Sequence, residues 1–171
     1  NQSAGGSVPE KAELMVHIWD QNVEKGMYHG TSLPDGSFKI EKVPLIEGAE
    51  YLVMAVYKDV TYSSQSAIYK SDEEFNFSVP IKETTNDLSQ AQVDQMHVLF
   101  KPAEDGMEIQ EIYILSNNGD RTIKDAVKLD DGTQATFQFS LPKDADFIYF
   151  DPNQDSTRFV KFPGGFADKE P

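Results

Sequence analysis

The chain has 171 residues, of which 39% are hydrophobic and 11% aromatic, enough apolar material for one large core or two small ones. Fifteen basic and twenty-nine acidic residues give a net charge of −14, so the surface repels phosphate backbones and we expect no nucleic acid partner. The absence of cysteine excludes a disulfide framework, a thiolate metal site and a cysteine nucleophile. No segment approaches the ~18 apolar residues of a membrane span, so a membrane would be reached only through segments outside this sequence.

The first half of the chain carries the patterns of short β-strands. The polar, Gly-rich opening at 1–7 predicts a turn or a frayed end. Apolar residues then recur at the two-residue period of a strand, or form one short continuous run. Turns are predicted at Pro34-Asp35-Gly36 and at Lys58-Asp59. The predicted strands of this half are 14–19, 37–40, 51–57, 60–63 and 75–79.

The second half repeats this organisation after a polar stretch at 82–92, which predicts a linker or a single helical turn. Asp105-Gly106 has the composition of a hairpin turn. Short strands separated at roughly ten-residue intervals by Gly, Asn, Asp and Pro are typical of an all-β sandwich or barrel. The predicted strands of this half are 96–100, 107–115, 135–141, 147–150 and 159–162.

Three segments of the first half carry a resemblance to a known family. The segments 33–40, 43–44 and 51–57 are similar to those of carboxypeptidase regulatory-like domains, in which a hydrophilic turn of the type Asp-Gly-x-Phe leads a strand and a Tyr-rich strand follows. Asp35, Gly36 and Phe38 occupy the turn positions here, and the likeness covers about half the chain. The resemblance implies a transthyretin-like β-sandwich that serves as a spacer, adhesive unit or accessory fold of a bacterial exported or surface protein.

We therefore predict an all-β protein of two tandem β-sandwich (transthyretin/Ig-like) domains, at 1–85 and 93–171, joined by a linker at 86–92. The resemblance also implies a strand before Asn1 and further strands after the loop at 164–168, so we expect a fragment whose second domain is incomplete at its C-terminus. A sandwich that lacks a strand has an open edge, which a strand from elsewhere can fill to give a homo-oligomer or filament. A truncated chain is the alternative interpretation.

Four aromatic residues are candidates for a ligand platform. Trp19, Tyr57, Tyr62 and Tyr69 would stack on sugar rings if they were exposed on one face. Aromatic residues in strands more often belong to the core or to cross-strand pairs. A carbohydrate-binding module is therefore the alternative function.

One acidic loop is a candidate for calcium. Asp151, Asn153 and Asp155 offer oxygen ligands at alternating positions, as Ca²⁺ loops do. Ser156 stands where such a loop has Gly and Phe162 stands where a bidentate Glu closes the shell, so a plain acidic turn is the competing interpretation. The three histidines, His17, His29 and His97, show no ligand spacing.

No pattern in the sequence predicts an enzyme. There is no Gly-x-Ser-x-Gly elbow, and the neighbouring carboxylates at 72–74 and 130–131 are best interpreted as a solvated acidic surface. We predict a non-enzymatic structural or protein–protein interaction module that lies outside the cytoplasm. Its expected partners are other protein chains or other domains of its parent protein, and no cofactor is expected beyond the candidate calcium.

Overall fold

The computed structural model of the chain describes residues 1–71, 74–145, 148–155 and 157–171. The acidic residues Asp72 and Glu73, Phe147 of a predicted strand, and Ser156 of the candidate calcium loop lie outside the described residues. The described chain is all-β and contains no helix, and most of its strands pair in antiparallel sheets. No described segment therefore forms a helix that is long and apolar enough to cross a membrane.

The chain divides into two compact units, unit 1 at Asn1–Glu83 and unit 2 at Thr84–Pro171. The predicted division placed the first domain at 1–85 and a linker at 86–92. The assignment of both units as sandwich domains stays a prediction.

Unit 1 is built on one five-stranded antiparallel sheet with the order β2-β1-β3-β4, and β5 pairs with the other end of β3. The prediction of strands at 14–19, 51–57 and 60–63 is confirmed, because alternating or continuous apolar residues there bury one sheet face. Its strands are β1 (Glu13–Asp20), β2 (Val23–Thr31), β3 (Glu50–Tyr57), β4 (Val60–Ser63) and β5 (Ala67–Ile68).

The core of unit 1 lies on one face of this sheet. Val16, Ile18 and Val53 point to that face, together with Ala49 and the fully buried Tyr51. Segments outside the strands cover it, and they contribute the side chains of Phe38, Ile40, Val43, Ile46, Tyr69, Phe75, Phe77 and Val79. The predictions of strands at 37–40 and 75–79 are wrong, because these residues pack onto the core without joining a sheet ladder.

The N-terminal residues close unit 1 instead of fraying. The Gln2 N–H donates to the carbonyl of Ile81 at 2.8 Å, and the buried Ser3 hydroxyl accepts a hydrogen bond from the Glu83 N–H at 2.8 Å. The Gly6 N–H donates to the Ser3 carbonyl at 2.9 Å and closes a turn. The opening therefore forms the predicted turn, and the expectation of a frayed end is wrong.

Unit 2 has small sheets and few buried apolar residues. Its strands are β6 (Thr84–Thr85), β7 (Ala91–Ala103), β8 (Gly106–Asn117), β9 (Thr122–Ile123), β10 (Val127–Lys128), β11 (Gln134–Ala135), β12 (Phe137–Ser140), β13 (Phe159–Phe162) and β14 (Gly165–Asp168). The sheet with the most strands is β12-β14-β13, in which Phe139 and Phe166 stack with 4.8 Å between their ring centroids. The described part of the predicted strand at 147–150 is not in a strand, although Phe150 stacks on Phe159 at 4.1 Å.

Candidate functional site

The most distinctive feature of unit 2 is a long β-hairpin formed by β7 and β8. The two strands pair from Ala91 with Asn117 to Ala103 with Gly106, around the turn that Asp105-Gly106 predicts. Neither strand pairs with a third strand among the described residues, so this sheet is two-stranded with two open edges. An isolated two-stranded hairpin is at best marginally stable in water, which makes this one an unusual element for a folded unit.

The hairpin exposes a large share of the apolar side chains. Of the sixteen large hydrophobic residues that are exposed in the described chain, eight lie on β7 and β8. Phe100 is the most exposed of these eight hairpin residues, at 62%. Single exposed apolar residues are ordinary, but a contiguous group marks an interaction surface. These eight residues are Val93, Met96, Leu99, Phe100, Met107, Ile109, Ile112 and Ile114.

One face of the hairpin, here called the apolar face, carries most of these side chains. Directly paired residues share a face, so the register Val93–Leu115, Met96–Tyr113, Phe100–Ile109 and Pro102–Met107 defines it. Glu111 is the charged member of this face, opposite Val98, and its carboxylate accepts a hydrogen bond from the Tyr113 hydroxyl at 2.6 Å. Burial, followed by this carboxylate, raises the pKa of Tyr113 to about 12. The other face is mixed, with an ion pair between Lys101 and Glu108 at 3.2 Å.

The apolar face continues into a cleft at the base of the hairpin. The cleft has a volume of about 360 Å³. Tyr113 forms part of its wall and lies against Phe139 of β12, with 5.0 Å between the ring centroids. The apolar face is thus anchored at its base and open along its length. The residues that line the cleft are Leu88, Ala91, Gln92, Val93, Tyr113, Leu115, Phe137, Gln138 and Phe139.

The two edges of the hairpin differ in how readily they can accept another strand. The β7 edge contains Pro102, which has no N–H, next to Lys101, and its register is interrupted by a bulge between Val93 and Gln95. Proline, lysine and bulges are the features that protect sheet edges from pairing. The β8 edge contains none of them over its 12 residues. Both edges lack a partner strand among the described residues, and the β8 edge is the less protected of the two.

The four aromatic candidates do not share one face. Trp19 lies on the face of β1 opposite to the core, where its ring stacks on His17 at 5.4 Å. Tyr57 and Tyr62 pack against the buried cluster of Leu14, Ala55 and Ile81, while Tyr69 packs against the core cluster that contains Tyr51. The structure therefore does not bring Trp19 together with the three tyrosines.

The tyrosines also have structural hydrogen bonds. The Tyr57 hydroxyl donates to the Glu83 carboxylate at 2.9 Å, and the Tyr62 hydroxyl donates to the Lys82 carbonyl at 2.8 Å. Burial and the nearby Glu83 raise the pKa of Tyr57. The same carboxylate binds Lys58 and accepts a hydrogen bond from Asn1 at 2.7 Å. These contacts hold Glu83, at the end of unit 1, against the turn that joins β3 to β4.

The candidate calcium residues Asp151, Asn153 and Asp155 use their side chains within their own turns. The Asp151 carboxylate accepts hydrogen bonds from the backbone N–H and the side-chain amide of Asn153, both at 2.9 Å. The Asp155 carboxylate accepts the Thr157 N–H at 2.8 Å, and this bond lowers the pKa of Asp155. Among the described residues, no group of three His, Cys, Asp or Glu side chains converges on one point. Calcium binding stays a prediction.

Two of the three histidines lie on one face of the β1–β2 hairpin, at diagonal positions. His29 pairs with Met15, and His17 pairs with Met27, so both imidazoles lie on the same face of adjacent strands. His97 belongs to β7 in unit 2. The sequence spacing does not predict that His17 and His29 share a face, because the register of β1 and β2 depends on an irregularity between Ile18 and Trp19.

No protein-family model, curated protein or solved structure matches this chain. The resemblance to carboxypeptidase regulatory-like domains therefore stays a prediction from the segments 33–40, 43–44 and 51–57.

Proposed function

We propose that the chain is a non-enzymatic interaction module of an exported or cell-surface protein, and that its β7–β8 hairpin binds a strand supplied from outside residues 1–171. The single observation that carries the proposal is the two-stranded hairpin with eight exposed large hydrophobic residues. The likeness to carboxypeptidase regulatory-like domains supports an extracytoplasmic location. The incoming strand belongs either to another polypeptide or to another stretch of the parent protein.

Backbone pairing at the β8 edge supplies the affinity in this proposal. A strand that adds to an open edge forms main-chain hydrogen bonds along its whole length, and alternate side chains then decide specificity. The β8 edge offers 12 continuous residues, whereas Pro102 and the bulge interrupt the β7 edge. We therefore assign β8 as the accepting strand.

The apolar face and its cleft supply the side-chain recognition. A strand beside β8 extends the sheet, and its side chains on the apolar side lie next to those of β8, such as Met107 and Ile109, and shield them from water. The cleft beside Tyr113 and Phe139 is large enough for one bulky side chain of the incoming strand. Glu111 lies within this face, so a strand with a basic or hydroxyl-bearing side chain at the matching position is favoured.

Light scattering on the purified chain tests the proposal. An open hairpin can also pair with the hairpin of a second copy, so we expect the mass to rise above the monomer value of 19.2 kDa as concentration increases. The double substitution Phe100→Asp/Ile109→Asp places two like charges on the apolar face, and it should keep the chain monomeric.

A matched control uses two exposed apolar residues of unit 1. Leu33 and Leu45 are as exposed as the hairpin residues, at 57% and 56%, but lie outside the hairpin. Leu33→Asp/Leu45→Asp should leave the association unchanged. A wild-type chain that stays monomeric at every concentration would contradict the proposal, as would equal suppression by both double variants.

A further inference from the structure

A second feature, on unit 1, is a patch of soft donor atoms on the face of the sheet opposite to the core. Leu14, Val16 and Ile18 of β1 point into the core, so the alternate residues Met15 and His17 point the other way. Two further donors stand beside them on β2. We define the soft-donor patch as Met15, His17, Met27 and His29.

The register of the two strands sets the geometry of this patch. His17 pairs directly with Met27, and Met15 pairs directly with His29. Direct partners have Cβ atoms about 5 Å apart, and alternate residues along a strand are about 7 Å apart. The four Cβ atoms therefore mark the corners of a rectangle, with the two thioethers on one diagonal and the two imidazoles on the other. Long, flexible methionine side chains can reach one point above its centre.

The ring of His17 has a carboxylate partner at one of its two nitrogens. Its Nδ1 lies 3.2 Å from the Glu24 carboxylate, which can only accept a hydrogen bond, so neutral His17 carries its proton on Nδ1. The lone pair is then on Nε2 and is free to bind a cation. Histidine ligands of metals commonly donate their other ring N–H to a carboxylate in this way. The parallel Trp19 ring, at 5.4 Å and 10°, also fixes the orientation of the imidazole.

The donor atoms determine which ion fits. Thioether sulfur and imidazole nitrogen favour soft cations such as Cu(I), whereas Ca²⁺ and Mg²⁺ require oxygen ligands. The net charge of −14 and the Glu24 carboxylate favour a cation over an anion. Met27 is 47% exposed and His29 is also exposed, so an ion can reach the patch from solvent. We propose that the soft-donor patch binds one soft monovalent cation, Cu(I), and that Ag(I) can replace it in experiments.

The only tryptophan of the chain provides the readout, because Trp19 stacks on His17. Titration of the full chain with Ag(I), which needs no reductant, should change Trp19 fluorescence and saturate at one equivalent. Met27→Leu and His29→Gln alter exposed side chains, so the unit should stay folded, as circular dichroism would verify. Each substitution should weaken Ag(I) binding by at least about tenfold, because even the loss of an outer-shell partner of a metal ligand costs about that much.

His97→Gln is the matched control for His29→Gln, because His97 is an exposed histidine of β7 in unit 2, on the hairpin face opposite to the apolar face. It should leave the Ag(I) affinity unchanged. The proposal is overturned if the wild-type chain shows no saturable response. It is also overturned if Met27→Leu binds as the wild type does, or if Zn²⁺ produces the same response at the same concentration.

Discussion

The hydroxyl group of Tyr51 joins a loop to the central strand of unit 1, and its removal gives a sharp test of the core. Tyr51 is 1% exposed and belongs to the core cluster. Its hydroxyl donates to the Pro44 carbonyl at 2.7 Å and accepts the Ile46 N–H at 2.8 Å. Tyr51→Phe keeps the ring and its edge-on contact with Phe75 at 4.9 Å, so only the two hydrogen bonds are lost.

The size of the effect follows from those two bonds. Each hydrogen bond contributes a net ~1 kcal/mol, and the unpaired backbone groups of 44 and 46 add a desolvation penalty if water does not replace the hydroxyl. We expect Tyr51→Phe to lower the free energy of unfolding of unit 1 by about 2 kcal/mol. Tyr69→Phe is the matched control, because the Tyr69 hydroxyl makes no hydrogen bond within the described part of the chain. Its effect should stay within about 0.5 kcal/mol.

Urea unfolding followed by Trp19 fluorescence measures this effect, because the only tryptophan lies in unit 1. With a slope of about 1–2 kcal/mol/M for a unit of this size, the midpoint should fall by about 1–2 M. An unchanged midpoint for Tyr51→Phe would refute the reasoning. An equal fall for Tyr69→Phe would show that the ring environment, and not the loop, sets the stability.

Two further predictions concern buried carboxylates. The Lys58 ammonium, followed by the Tyr57 hydroxyl, lowers the pKa of Glu83 from 4.5 to about 2. The ionised form therefore stabilises unit 1 above pH 4.5, and this contribution is lost as the pH falls towards 2. In urea unfolding, the midpoint of Glu83→Gln should depend less on pH between 4.5 and 2 than the midpoint of the wild type does. In unit 2, the buried Asp168 accepts a hydrogen bond from Arg158 Nε at 2.7 Å, so Asp168→Ala should cost about 2–3 kcal/mol. Near-ultraviolet circular dichroism would report this loss through the packed rings of unit 2, while the Trp19 transition of unit 1 should not move. These rings are Phe139, Phe150, Phe159 and Phe166.

Periodicity predicted the strands that bury one face of a sheet. Leu14, Val16 and Ile18 alternate in the sequence, and they form the buried face of β1. The same alternation at Phe75 and Phe77 predicted a strand that the structure does not have. Alternation reports which side chains are buried, and these two rings pack on each other at 4.7 Å without backbone pairing.

The hairpin shows a different limit of the sequence. Its strands and the turn at Asp105-Gly106 were predicted, but apolar residues such as Met96 and Phe100 are expected to be buried when only their pattern is known. Whether a predicted strand has neighbours on both sides depends on the whole sheet, which local patterns do not contain. The open β8 edge could therefore be found only in the structure.

The soft-donor patch depends on a single register shift. A two-residue turn at Gln21-Asn22 pairs Asp20 with Val23, and uninterrupted pairing from there would place Met15 opposite Tyr28. The irregularity between Ile18 and Trp19 moves the register by one residue, so that His29 stands opposite Met15. A shift of one residue exchanges the two faces of a strand, and the sequence has no clear signal for it.

Amide hydrogen exchange along β8 tests the central claim, that this edge is open and accepts a strand. In the dilute monomer, the amides of Gly106–Asn117 should exchange much faster than those of β1 and β3, whose strands lie inside the five-stranded sheet. They should become protected when the chain associates. Slow exchange along β8 in the monomer, equal to that of β1 and β3, would mean that residues 1–171 cover this edge themselves, and it would contradict the account.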